Sequence, residues 1–234
     1  MRKPKQADPS GETLIKYELA SSLRQEIVNG ALLPGVRIVE GTWARKFSVA
    51  QGSIREAINI LAQEGFVTKA AGRSARVVSF SEEDVLDLYA LRGALEGVAA
   101  RLAAEKKPDT GLLERALAAM RVAATRDKGE DLLDSDLAFH LELCRLSGNS
   151  YIVDHARRVL LPFFAFVRIR LIASGQGTGA WGRDLEAHQR IIDLLNEGEG
   201  DVVEQYVRRV MARFSTTAYK NWEKKPMLST RSGR

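Results

Sequence analysis

Apolar positions within residues 40–64 predict two helices joined by a tight turn at 47–49. In the second helix the apolar residues recur at three- and four-residue steps, which forms a single buried stripe. The residues of this stripe are Ile54, Ala57, Ile58 and Leu61. Arg55 lies on the polar flank beside it. The pattern is typical of a helix-turn-helix that binds DNA, and a helix hairpin in any small domain is the alternative.

The pattern changes to strand alternation after Gly65, which is expected to end the second helix. Residues 66–69 and 75–79 each alternate as a short strand, and a turn of small residues at 70–74 joins them. Arg73 stands at the tip of that turn. A β-hairpin with a basic tip, directly after a recognition helix, indicates a wing that reaches the groove beside the one the helix enters.

Helical periodicity dominates the remainder of the chain. An N-terminal helix is expected from about Thr13 to Asn29, and the region from Ser81 to Trp222 contains no convincing strand. The helical segments predicted in that region lie near 82–105, 109–127, 130–147, 150–172, 181–197 and 201–222. The expected fold is mostly α, with an N-terminal winged helix-turn-helix, its small β-hairpin wing, and a C-terminal all-α antiparallel helical bundle.

These patterns divide the chain into four regions. Residues 1–12 and 223–234 are polar and predict disordered tails. Residues 13–80 form the predicted DNA-binding domain, and residues 81–222 form the predicted helical domain. No run of eighteen apolar residues occurs, so no membrane span is expected. The single cysteine, Cys144, excludes an intrachain disulfide and fits the reducing cytoplasm.

The excess positive charge lies entirely in residues 1–80, which comprise the N-terminal tail and the first predicted domain. The chain carries a net charge of +5, with 12 Lys+Arg and 7 Asp+Glu in residues 1–80 and 23 of each sign afterwards. Attraction to phosphates is a sequence-independent term in DNA binding. The asymmetry therefore favours double-stranded DNA as the partner of residues 13–80.

Residues 13–80 resemble the winged-helix domain of the GntR family of bacterial transcription regulators. The resemblance is carried by the motifs at 29–37, 49–57 and 61–67 and by Gly72-Arg73, which occur in the family's order and spacing. One segment departs from it. Where the family usually has Ser-Arg-Thr-Pro before the recognition helix, this chain has Ala50-Gln51-Gly52-Ser53, which predicts a different operator preference.

The resemblance implies roles for particular residues of this domain. Arg37 and Arg45 are expected to contact phosphates and set the register on DNA, while the start of the recognition helix approaches base edges. The residues expected at the bases are Gln51, Gly52, Ser53 and Arg55, and those expected at the wing are Gly72 and Arg73. For each arginine the alternative is an ordinary solvated surface charge.

Residues 82–222 resemble the FCD helical domain of the FadR subfamily. The resemblance is carried by Leu91-Arg92 with Leu95-Glu96, by a group from Asp136 to Asn149, and by Glu186-Ala187-His188. It implies an antiparallel helical bundle that forms a homodimer and often holds a divalent metal beside a small organic acid.

The residues themselves support a metal site at Asp136, His140 and His188. Asp136 and His140 are four residues apart, hence on one helix face, and His188 would come from another helix. Such nitrogen and oxygen ligands suit Zn, Ni, Fe or Mn. The site is incomplete, because Val210 stands where complete family members carry a further histidine. Either water or effector completes a three-ligand set, or Asp136 and His140 form a buried hydrogen-bonded pair with no ion.

An effector carboxylate requires cationic groups near this site. Arg92 and Glu96 lie four residues apart on the margin of an apolar stripe, and they form either an ordinary intrahelical ion pair or part of an effector site. Arg168 is a second candidate for contact with the effector. That the ligand is a small carboxylate is what the family resemblance implies.

The sequence therefore predicts a cytoplasmic, homodimeric, ligand-responsive transcription regulator, with repression favoured over activation. A regulator of the same architecture without metal, which senses an acyl thioester or another metabolite, is one alternative. A metal-dependent helical-bundle enzyme is the other, but no catalytic residues are predicted because no nucleophile has an evident base partner. No membrane is involved in any of these hypotheses.

Overall fold

The computed structural model describes residues 9–69, 74–174 and 182–222. Within the chain, contacts form two compact units, and the division between them falls between Ser79 and Phe80. None of the described helices combines the length and apolar content that a bilayer span requires. The mostly helical fold predicted from the sequence is confirmed.

The first unit is a winged helix-turn-helix. Its elements are α1 (Pro9–Val28), α2 (Glu40–Phe47), α3 (Gln51–Gln63), β1 (Val67–Thr68) and β2 (Arg76–Val77). The two strands are antiparallel, with Val67 opposite Val77 and Thr68 opposite Arg76. Arg37 also forms an isolated bridge with Arg76, so the loop before α2 is attached to the hairpin.

The apolar stripe of α3 explains how this unit packs. All four predicted stripe residues are completely buried, and α1, whose Leu23 and Ile27 are also buried, packs against α3. Arg24 of α1 and Glu64, directly after α3, form a two-pronged ion pair at 2.6–3.0 Å. Gly65 then adopts a positive φ of 83°, which side chains with a Cβ rarely tolerate, and the chain leaves α3 for β1.

Two boundaries differ from those predicted. Helix α1 begins at Pro9 rather than about Thr13, because proline fits the first turn of a helix, where its missing N–H has no partner to lose. Each strand contains two residues rather than four or five. The flanking backbone still pairs, since Val78 N–H donates to the Phe66 carbonyl at 2.9 Å, but the ladder is short.

Among its described residues, the second unit contains helices joined by short loops, and no strand. Its elements are α4 (Glu82–Ala104), α5 (Gly111–Thr125), α6 (Gly129–Leu146), α7 (Ser150–Ser174), α8 (Gly182–Glu197) and α9 (Gly200–Trp222). Helices α4 and α9 pack closely because Gly97 has no side chain. A Cβ at Gly97 would lie 3.2 Å from the Glu204 carbonyl oxygen. Helix α6 contributes to both apolar clusters of the bundle, with Phe139 in one cluster and Cys144 in the other.

A capping box starts the second unit. The Ser81 hydroxyl accepts a hydrogen bond from the Asp84 N–H at 3.1 Å, and Asp84 accepts one from the Ser81 N–H at 2.8 Å. The Ser81 hydroxyl also donates to Asp84 Oδ2 at 2.7 Å. The two hydrogen bonds that the Asp84 carboxylate accepts, from the Ser81 hydroxyl and the Ser81 N–H, lower the pKa of Asp84. Because that pKa is lowered in the folded state, the stabilisation is present at neutral pH and is lost as the pH falls through the folded-state pKa.

We expect Ser81→Ala to lower the free energy of unfolding by about 1 kcal/mol, because it removes a capping side chain. Urea unfolding followed by circular dichroism measures this change at pH 7. At a pH low enough to protonate Asp84 in both proteins, the difference should shrink. An unchanged difference there would mean that the Asp84 carboxylate plays no part in the cap.

Candidate functional site

The start of α3 presents a polar surface to solvent. Gln51, Gly52 and Arg55 are exposed and Ser53 is half-exposed, whereas Ile54 between them is buried in the core. Ala50 precedes the helix in an extended conformation and makes no side-chain cap hydrogen bond. The first N–H groups of α3 are therefore left without a side-chain acceptor at the end of the helix that enters DNA in this class of fold.

Arg55 is held by an acidic residue of the preceding helix. Its Nε lies 3.1 Å and its Nη2 lies 2.9 Å from Glu40 Oε2. The arginine side chain nevertheless remains 57% exposed. This interaction was not predicted, because residues 15 apart give no spacing signal until the turn between α2 and α3 brings them together.

Four further residues were predicted to contact DNA. Arg37 and Arg45 are exposed, in the loop before α2 and on α2 itself. Their contacts with phosphates stay predictions. Gly72 and Arg73, expected at the wing, lie outside the described residues.

Asp136, His140 and His188 come together in the helical unit. Asp136 Oδ1 lies 3.1 Å from Nε2 of His140, one turn along α6, and 3.0 Å from Nε2 of His188 on α8. Both imidazoles are buried and the aspartate is nearly so. The ring of Phe139 meets the His188 ring edge-on at 4.5 Å between centroids. Three potential ligand atoms thus converge on one small volume.

The geometry of this cluster fits a metal ion. Asp136 Oδ1 is buried and makes no hydrogen bond, although it faces both ring nitrogens. Two ligand atoms at about 2.1 Å from one ion are about 3.0 Å apart when they subtend a right angle. The observed separations of 3.0 and 3.1 Å match that value. Asp136, His140 and His188 could therefore hold a divalent cation.

A carboxylate lies behind His140 on the side away from Asp136. Glu96 Oε2 of α4 is 2.5 Å from His140 Nδ1, although the contact departs from ideal hydrogen-bond geometry. Glu96 is held in turn by Arg92, whose Nε donates a hydrogen bond to Glu96 Oε1 at 2.8 Å. A carboxylate behind a histidine is the usual support of a metal ligand, because it orients the ring.

Burial and neighbouring charges have opposite effects on the pKa values of Glu96, His140 and Asp136. Burial would raise the pKa of Glu96, but Arg92 and His140 outweigh it and lower that pKa to about 2. Burial would lower the pKa of His140, but the Glu96 and Asp136 carboxylates raise it to about 9. Asp136 likewise has a lowered pKa, because the two imidazoles outweigh its burial. Without a cation, His140 itself would carry the balancing charge.

Arg92 lies inside the bundle rather than at its surface. Its side chain is 4% exposed, and its guanidinium lies 5.3–5.4 Å from the ring centroids of Tyr89, Phe163 and Phe164. The pair with Glu96 is therefore a buried ion pair that is linked to His140, and not a weak surface pair. The aromatic residues around it were not predicted from the sequence pattern. Contact of Arg92 or Glu96 with an effector stays a prediction.

Arg168 and Val210 were also singled out in the sequence. Arg168 of α7 forms ion pairs with Glu130 and Asp134 of α6, the latter at 2.8 Å, so its guanidinium is already paired with two carboxylates. Val210 is a buried apolar residue of α9. Within the described part of the chain, the metal-type cluster comprises the three predicted ligands.

Cys144 is buried, and burial raises the pKa of its thiol, which makes it a poor nucleophile.

Sequence profiles of two known families match the two units. The profile of bacterial regulatory proteins of the gntR family matches residues 16–77, and the FCD domain profile matches residues 87–213. This chain is a GntR-family transcription regulator. The FCD domain fits the FadR subfamily, as the sequence resemblance predicted. The families and relatives are transcription regulators rather than enzymes.

Curated relatives of this GntR regulator include repressors of sugar-related operons. The gluconate operon transcriptional repressor of Bacillus subtilis is 31% identical over 136 residues, which cover 57% of this chain and 56% of that protein. The chain thus aligns with little more than half of that relative. A probable D-xylose utilization operon transcriptional repressor of Paenarthrobacter nicotinovorans is 24% identical over 92% of this chain and 95% of that protein.

Solved structures show the same fold. A GntR regulator from Rhodococcus sp. RHA1 has a TM-score of 0.71 at 21% identity, over 86% of this chain and 96% of that one. Escherichia coli McbR/YncC has a TM-score of 0.72 at 16% identity, over 89% and 98%. At these identities the likeness bears on the fold alone.

Proposed function

We propose that this GntR regulator is a homodimeric, cytoplasmic repressor whose affinity for a pseudo-palindromic operator is controlled by a small organic acid. The observation that carries the DNA-binding part is the exposed start of α3. Gln51, Gly52 and Arg55 face solvent there, while the opposite stripe fixes the helix to the core. A helix held in this way can enter the major groove without rearrangement of its own unit.

A homodimer explains how one recognition helix becomes specific. Each protomer reads one half-site, and the two half-sites of a two-fold symmetric operator lie about 34–36 Å apart, or one turn of DNA. The phosphate contacts proposed for Arg37 and Arg45 fix the register of each protomer. Operator affinity then depends on the arrangement of the two DNA-binding units within the dimer.

We propose that Asp136, His140 and His188 hold a divalent cation of the Zn, Ni, Fe or Mn class in the helical unit. Such an ion supplies Lewis acidity and open coordination positions that attract a carboxylate. Glu96 orients His140, and Arg92 holds Glu96 in place. Val210 contributes no ligand, which leaves more of the coordination sphere to water or effector.

The charges of the site support an anionic effector. Without a cation, protonated His140 and Arg92 balance the carboxylates of Glu96 and Asp136. Ligation requires neutral imidazoles, so a divalent cation would leave the same buried group with one excess positive charge. A monocarboxylate restores neutrality, whereas a neutral sugar does not. A small carboxylate is therefore favoured over an uncharged ligand.

The effector is proposed to act by population shift. A ligand that binds one arrangement of the dimer more tightly than the other changes operator affinity by the ratio of its two affinities, typically 5–150-fold. The names of the relatives link them to gluconate and D-xylose operons. Sugar acids are therefore the first carboxylates to test.

The test combines metal analysis with a thermal-shift screen of the full chain. Protein purified without chelator or a metal-affinity tag is analysed for bound metals and then screened against sugar acids, hydroxy acids and amino acids. We expect a carboxylate to raise the thermal midpoint only in metal-loaded protein, because binding to the folded state stabilises it by mass action. Stabilisation by an acyl thioester in metal-free protein would instead support the metal-independent alternative.

A further inference from the structure

The ion pair between Glu40 and Arg55 uses only one edge of the arginine. A guanidinium carries five N–H donors, arranged as a side edge of Nε with Nη2 and an end edge of Nη1 with Nη2. Glu40 accepts from Nε and Nη2, the side edge. Within the described part of the chain, the hydrogen bonds of Arg55 all go to Glu40, and the side chain stays 57% exposed.

We infer that Glu40 is a positioning residue that presents the end edge of Arg55 to a guanine in each operator half-site. This inference rests on the proposed function. Guanine offers O6 and N7 as two acceptors in the major groove, and a guanidinium edge matches them with two parallel hydrogen bonds. Glu40 leaves that end edge available and fixes its direction.

The anchoring is effective because Glu40 itself is well placed. It lies in the first turn of α2, and α2 is fixed to the core by buried Trp43 and Ala44. An arginine side chain that is free in solution loses rotamer entropy when it is immobilised. A partner that orients Arg55 before DNA arrives reduces that loss at the moment of binding.

Electrostatics alone predicts the opposite effect for Glu40. A carboxylate near the DNA-facing surface is repelled by phosphates, so its removal should strengthen binding to every DNA sequence. A purely structural role is also conceivable, because an acid in the first turn interacts favourably with the helix dipole. The three roles predict different results for the same substitutions.

The test compares Glu40→Gln, Glu40→Asp and Glu56→Gln in the full chain. The probes are a duplex selected by the wild-type protein from a random library and a shuffled duplex of equal length and composition. Glu56→Gln is the matched control, because it removes a neighbouring exposed charge that accepts no hydrogen bond from Arg55. We expect Glu40→Gln to lower affinity for the selected duplex about tenfold, with no fall for the shuffled duplex.

Glu40→Asp separates geometry from charge. It keeps the negative charge and the helix-dipole interaction but withdraws the carboxylate from Arg55, so it should lose affinity for the selected duplex like Glu40→Gln. Combining Glu40→Gln with Arg55→Ala should add no further loss. Unchanged or stronger binding of the selected duplex by both Glu40 variants, or a full additional loss in the double variant, would overturn the inference. Unimpaired binding by Arg55→Ala would instead overturn the proposed function.

Discussion

Replacement of Arg55 by alanine should lower the affinity for the selected operator duplex at least about thirtyfold. Each bidentate contact between an arginine and a guanine contributes about 1–3 kcal/mol of discrimination, and a dimer loses two such contacts. Binding to a shuffled duplex should fall much less, because it depends on phosphate attraction rather than on base edges. A fluorescence anisotropy titration with both duplexes measures the two affinities at one fixed salt concentration.

Arg145 offers a matched control for this experiment. Its side chain is 59% exposed and pairs with Glu142, much as the 57% exposed Arg55 pairs with Glu40. It lies on α6 of the helical unit, so Arg145→Ala removes the same charge without changing the proposed DNA surface. Equal losses for the two alanine variants would show that only net charge matters. The assignment of α3 as the reading helix would then be wrong.

Replacement of Asp136 by asparagine should reduce the affinity for the divalent cation by more than about a hundredfold. Removal of a group that merely supports a ligand already costs 10–100-fold in metal affinity, and Asp136 is a proposed ligand itself. Its Oδ1 is also the atom that both imidazoles face. Competition with a chromogenic chelator measures the affinity, and elemental analysis measures the metal content of purified protein.

Asp134→Asn is the control for that substitution. Asp134 lies on the same helix but is largely exposed and pairs with Arg168. Its loss should leave metal content unchanged. Chelation should lower the thermal midpoint of wild-type and Asp134→Asn protein, but not that of Asp136→Asn, because an ion bound to the folded state adds stability. Undiminished metal content in Asp136→Asn would contradict the proposed ligand set.

The features that sequence periodicity predicts well are those set by local spacing. The stripe from Ile54 to Leu61 predicted which face of α3 is buried, and by exclusion which face reaches solvent. The four-residue spacing of Asp136 and His140 predicted that the two side chains share one face of α6. Their approach to His188 depended on the family resemblance, since nothing local relates α6 to α8.

The features that sequence periodicity did not predict depend on contacts between helices that are distant in sequence. Glu96 is near His140 because α4 and α6 pack together, and 44 sequence positions separate the two residues. Similarly, the aromatic residues around Arg92 come partly from α7. Glu40 and Arg55 are closer in sequence, but they meet only after the tight turn reverses the chain. A hydrophobic pattern identifies buried faces and does not identify which polar residues face each other.

Methylation interference on the selected duplex tests the central claim most directly. Methylation of guanine N7 blocks the acceptor in the major groove that the end edge of Arg55 is proposed to use. For the wild-type protein we predict that bound DNA is depleted of methylation at a guanine in each of two half-sites about one helical turn apart. Arg55→Ala should lose that depletion. Wild-type binding that tolerates N7 methylation at every guanine of the duplex would contradict the account.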